Sequence, residues 1–105
     1  MNRGDIWLVA LDPTLGSEIR KSRPCVIVSP PEMHDALPTV IVAPMTTKAH
    51  AAPFRVPVTH AGKRGLVLLD QIRAIDKLRL IRRAGTISAS ALDKTFATLR
   101  EMFAH

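Results

Sequence analysis

One cysteine, one tryptophan, three phenylalanines and no tyrosine stand in 105 residues, and each scarcity excludes something. The lone Cys25 leaves no internal disulfide framework and cannot begin a cysteine-based zinc site. It lies in the apolar run Cys25-Val26-Ile27-Val28, where a thiol stays protonated and serves as a small core side chain. So few aromatics argue against a surface built to stack a row of bases. No apolar run approaches the ~20 residues needed to cross a bilayer, and no secretory leader precedes the first strand pattern, so a cytoplasmic protein without a membrane partner is expected. Acidic residues are also short, 9 Asp and Glu against 15 Lys and Arg, leaving a formal charge of +6. In so small a chain that excess points to a polyanionic partner, nucleic acid first.

Familiar catalytic signatures are missing too. There is no glycine-rich phosphate loop, no nucleophile elbow and no zinc-type histidine spacing. His34, His50 and His60 fall in three separate loop-like places and His105 is the last residue. A two-histidine acid–base pair is therefore not expected within one chain. The carboxylates do not cluster with histidines at ligand spacing, so no metal or cofactor is expected either.

What is present is a series of short apolar runs separated by turn residues, which predicts one domain over residues 1–105, mainly β with a C-terminal helix. Strands are expected at 6–11, 24–29 and 39–44, at 54–58 as an edge containing Pro57, at 66–76 as one long strand, and at 84–87. Residues 24–29 are apolar throughout, the pattern of a strand buried on both faces. Residues 62–65 read as a turn, 32–38 as a turn or one helical turn, and 78–80 as a short helical turn. Asp76 reads as a cap before Lys77. Leu92, Phe96, Leu99 and Phe103 form one stripe of a helix, with Ser90 and Asp93 resembling a capping box.

Polar groups at strand ends carry the candidate chemistry. Arg23 stands before Pro24, which cannot donate to a ladder, so pairing is expected to begin after it and leave Arg23 at a strand threshold. Thr46 follows the third strand, and Asp70, Gln71 and Arg73 sit beyond the apolar half of another. An arginine fork suits phosphate oxygens and a threonine hydroxyl adds a donor. The polar link between the first two strands is longer than a hairpin needs, as binding loops often are.

Five segments occur in order: "RGDIWLVALDPTLGSE" at 3–18, "SRPCVIVSP" at 22–30, "TVIVAPMTT" at 39–47, "PFRVPV" at 53–58 and "LLDQIRAIDKLRL" at 68–80. Together they resemble the MazF/PemK toxins of bacterial toxin–antitoxin systems. The resemblance implies an SH3-like β-barrel with a C-terminal helix, working as a homodimer. It implies a sequence-specific endoribonuclease that cuts single-stranded RNA without a metal, and an antitoxin protein that covers the RNA groove. By position, Arg23 and Thr46 match the family's catalytic arginine and threonine. Ser17 and Glu18 match the loop bordering the RNA groove, beside Arg20 and Lys21, and Gln71 and Arg73 match the segment lining the site. Some relatives carry a histidine where this chain has Ser17. Glu18 and Asp70 are the candidate acceptors for the 2′-hydroxyl proton. The alternatives are a gyrase-poisoning toxin of the same fold and a non-catalytic nucleic-acid-binding barrel.

Overall fold

In the computed structural model, which describes residues 1–11 and 22–105, the architecture grows from one central strand. The strands are β1 (Asp5–Ala10), β2 (Ser22–Ile27), β3 (Thr39–Thr46), β4 (Arg55–His60), β5 (Lys63–Leu68), β6 (Arg73–Asp76) and β7 (Leu80–Thr86). A one-turn helix α1 (Pro31–His34) follows β2, and the helix α2 (Ala89–Met102) closes the chain. All seven strands join one curled antiparallel sheet in the order β4-β5-β3-β2-β1-β7, with β6 also paired to β3. This is the mainly β, half-barrel fold with a C-terminal helix that the sequence predicts.

Strand alternation sends successive side chains to opposite faces, and both faces of β2 and β3 are buried, as the unbroken apolar run predicts. One face carries Ile6, Val26, Ala43, Met45, Val58 and Val67, with Leu92, Phe96 and Leu99 of α2 packed over it. The other carries Val9, Cys25, Ile27, Val40, Val42 and Ile75. Gly4 permits the close approach of α2: its φ is +85°, and a Cβ there would lie 3.2 Å from Leu92 Cδ1. The α2 cap is Ser88, whose Oγ accepts from the Ala91 N–H at 3.1 Å, not the expected Ser90. Phe103 lies past the helix end and is exposed, so the predicted stripe stops at Leu99. Asp76 does cap the 3₁₀ turn Lys77–Arg79, accepting from the Leu78 N–H at 2.8 Å.

Two prolines behave differently from the expectation. Pro24 lies inside β2, opposite Leu8, and Arg23 and Ser22 continue the pairing with β1. Pairing begins before the proline, because β1 does not require its missing donor. On the opposite edge, however, β2 meets β3 only at Cys25–Pro44, Val26–Ala43 and Ile27–Val42. Pro44 does not end β3 either; the strand runs on to Thr46 and exchanges partners. Its edge opposite β2 pairs β6 over residues 39–42 and β5 at Met45 and Thr46.

That exchange explains why 66–76 is not one strand. From Met45↔Val67 to Val42↔Arg73, three steps along β3 correspond to six along its partner. The 3₁₀ turn Leu69–Gln71 takes up the three extra residues, opposite a proline that has no N–H to offer. The hairpin turn likewise differs from the predicted 62–65. His60 pairs with Lys63, and Ala61 and Gly62 turn the chain with φ of 52° and 75°. This is the two-residue turn with two positive φ angles that suits the twist of a hairpin.

Candidate functional site

Beyond the Cys25–Pro44 pair β2 and β3 separate, and Pro24 lacks the N–H that would extend their ladder, whereas the nitrogen of Pro44 faces the opposite edge of β3, toward β5 and β6. Carried two residues further, the register of that pairing sets Arg23 opposite Thr46. The strands are no longer bonded there. Their side chains instead border a cavity of about 530 Å³, which also receives Lys48, His60, Lys63 and Gly65. Met45 and Val58 supply an apolar floor.

Arg23 is exposed, and no carboxylate pairs with it among the described residues. Thr46 is half-buried, and its Oγ1 accepts the Lys48 N–H at 3.1 Å. That contact occupies a lone pair and leaves the hydroxyl proton to donate elsewhere. Gly65 is a positioning residue that sequence reasoning left in a turn. A Cβ there would meet the Thr46 carbonyl oxygen at 2.8 Å, so only glycine lets β5 close on the end of β3. Its signal in the sequence was a glycine directly before the apolar run 66–69.

The cavity's charge is one-sided. Among the described residues Arg23, Lys48 and Lys63 line it together with no Asp or Glu. Such a site favours anions, and a guanidinium beside a hydroxyl donor matches phosphate oxygens.

The remaining candidates are distributed elsewhere. Asp70 sits in the 3₁₀ turn and turns away to Arg55, which donates from Nε and Nη2 at 3.3 Å each. Arg55 also donates from Nη1 to the His50 carbonyl at 2.9 Å. Hydrogen bonding from Arg55 holds the Asp70 carboxyl below its ordinary range despite some desolvation. A carboxylate so held is a poorer proton acceptor. Gln71 shares that turn and is exposed. Arg73 begins β6 opposite Val42 and, with Arg23, acts electrostatically on the Cys25 thiol, so the two arginines flank the same point of the sheet. Neither Gln71 nor Arg73 lines the cavity. Ser17, Glu18, Arg20 and Lys21 lie outside the described residues.

Two other reactive side chains are structural. Burial pushes the Cys25 thiol up to about 12, and its Sγ donates to the Arg23 carbonyl at 3.7 Å. His34 is fully buried, with Nδ1 2.9 Å from Ser29 Oγ and Nε2 2.9 Å from the Met1 carbonyl. The Met1 carbonyl can only accept, so Nε2 is the donor there, and in that tautomer Nδ1 accepts from the Ser29 hydroxyl, whose oxygen accepts from the Ile41 N–H. No group of three or more His, Cys, Asp or Glu able to hold a metal occurs among the described residues. No helix is long and apolar enough to cross a membrane.

Comparison with known proteins identifies the family. The profile of the PemK-like, MazF-like toxins of type II toxin–antitoxin systems matches residues 2–103. Endoribonuclease MazF9 of Mycobacterium tuberculosis is 38% identical over 104 residues, covering 88% of this chain and 86% of the relative. Endoribonuclease PemK of Escherichia coli is 42% identical over 81 residues, covering 72% of this chain and 61% of the relative. The MazF chain in a MazE–MazF crystal structure from Deinococcus radiodurans superposes with a TM-score of 0.83 at 25% identity, over 97% of this chain and 94% of that one. The chain belongs to the MazF/PemK family and is an endoribonuclease toxin of a type II toxin–antitoxin system.

Proposed function

We propose that this toxin cuts single-stranded messenger RNA at the Arg23–Thr46 cavity, without a metal, using the RNA's own 2′-hydroxyl as nucleophile. The 2′-oxygen bonds to the adjacent phosphorus, the P–O5′ bond breaks, and the products are a 2′,3′-cyclic phosphate and a 5′-hydroxyl. One proton leaves the 2′-oxygen and one is delivered to the 5′-oxygen. The protein must stabilise the extra negative charge of the phosphorane, and fixed donors do so most effectively where charge develops. Arg23 contributes the guanidinium fork and Thr46 a hydroxyl whose oxygen is already anchored by Lys48 N–H. The observation that carries this reading is the placement of both residues at one register level of two strands that have parted, on the rim of a cationic cavity.

The RNA is contacted further by Ser17, Glu18, Arg20, Lys21, Gln71 and Arg73, and residues 19–22 and 48–52 select its sequence. The toxin acts in the cytoplasm as a homodimer. Its antitoxin is a partly acidic chain that covers the RNA groove, drawn in by the +6 charge most strongly at low salt. A substrate with a single 2′-deoxy nucleotide at the mapped cut tests the chemistry. It should bind and remain whole, whereas cutting at that position would require an external nucleophile.

A further inference from the structure

The cleavage just described needs a group that takes the 2′-hydroxyl proton, and the cavity restricts the choice. Among the described residues its polar side chains are Ser22, Arg23, Thr46, Thr47, Lys48, His60 and Lys63. Guanidinium and ammonium groups are donors without an acceptor, and hydroxyls are weak bases. Among these described side chains His60 alone carries a ring nitrogen that can accept a proton.

We propose that His60 is the general base of RNA cleavage in this toxin; the inference rests on the nuclease reading of the cavity above. The structure places it on an ordered element, as the last residue of β4 beside the two-residue turn. The ring is half-buried and packs on Gly85 of β7, where an added Cβ would lie 3.6 Å from Cε1 and 3.8 Å from Nδ1. No hydrogen bond joins the ring to another described residue, unlike His34, whose two nitrogens are both engaged. Rigid support with an open ring nitrogen is the arrangement expected of a proton acceptor awaiting substrate.

The groups facing the ring divide cleanly. Arg23 of β2, Lys48 after β3 and Lys63 of β5 share its cavity. On β7, Arg83 is turned to Asp5 at 3.4 Å. In the step, neutral His60 receives the 2′-hydroxyl proton as the 2′-oxygen bonds to phosphorus. The departing 5′-oxygen takes a proton from solvent and the imidazolium releases one to solvent, so protons and charge balance over the turnover.

His60→Gln and His60→Ala are compared with wild type for kcat on single-stranded RNA between pH 5 and 8, and for binding of the 2′-deoxy substrate. A base contributes about 10²–10⁴-fold, so both variants should lose at least about 10²-fold in kcat while binding the uncleavable RNA normally. Added imidazole should restore part of the activity of His60→Ala. The wild type should show a limb rising with pH that both variants lack. A His60→Gln enzyme within about threefold of wild type overturns the proposal, as does a wild-type profile without that limb, which needs no variant to measure. Should Arg23→Ala abolish cutting while His60→Gln cuts normally, the nuclease site stands and only the assignment to His60 fails. A wild type that leaves RNA intact overturns both.

Discussion

Arg23 and Thr46 stand at the same level of β2 and β3, two residues beyond Cys25–Pro44, the last pair at which those strands are bonded. Pro24 stands at the point of separation and has no N–H to hold β2 to β3. The ladder is left unfinished there, and both residues line the cavity that opens between the strands.

Gly65 should be intolerant of any side chain. A Cβ would press on the Thr46 carbonyl oxygen at 2.8 Å, and backbone cannot swing aside as a flexible side chain can. Gly65→Ala is expected to lose about 1–3 kcal/mol of stability, the usual cost of overpacking, and to reduce cleavage more than Gly62→Ala, which meets no atom within 4 Å and is strained only by its φ of +75°. Thermal unfolding and kcat of the two variants measure both effects.

Asp70 should be dispensable as a proton acceptor. Its carboxylate is committed to Arg55, which donates to both of its oxygens. Asp70→Asn is expected to retain kcat within about fivefold, against the ~10²-fold or greater loss that removal of a general base produces. A larger loss in a variant that binds RNA normally would return Asp70 to the chemistry.

Cys25 should be silent to thiol reagents in the native state. With burial raising its pKa to about 12, almost no thiolate is present at pH 8. Ellman's reagent is expected to find no thiol in the folded protein and one after denaturation. Rapid native labelling would show that this part of the sheet opens.

Asp5 makes stability depend on acid. Burial alone would raise its pKa, but the Asn2 N–H at 2.8 Å, Thr86 Oγ1 at 2.9 Å and Arg83 outweigh it, so the carboxyl lies below 3.8 in the folded state. A folded pKa below the unfolded one means this stabilisation is complete above the unfolded value and disappears as pH falls through the folded one. Asp5→Asn should cost about 1–3 kcal/mol at pH 7 and flatten the fall of Tm below about pH 4. A parallel fall in both proteins would assign acid sensitivity elsewhere.

The sequence made most of this fold legible because the strong signals are local. The apolar run at 25–28 announced a strand buried on both faces, and Leu92, Phe96 and Leu99 announced the packed face of α2. What it concealed depends on long-range pairing. Pro24 and Pro44 look like strand boundaries, yet each sits within a strand whose other edge does not need its donor. The alternation of residues 66–76 looks like one strand, yet the chain must skip three residues to follow the edge of β3. For the same reason Arg23 and Thr46 could be chosen individually, while His60 and Gly65 could not. They reach the cavity through the β4–β5 hairpin, whose shape follows from a turn at Ala61-Gly62.

The most direct test is cleavage of a mixed-sequence single-stranded RNA in the presence of EDTA by wild type, Arg23→Ala and Thr46→Ala, with folding checked by circular dichroism. Losing one preorganised donor typically costs ~3–4 kcal/mol of catalysis, or about 10²–10³ in kcat. Wild type should cut with EDTA present, and each variant should lose at least about 10²-fold while remaining folded. RNA left intact by folded wild type, or cut equally well by the two variants, would contradict the account.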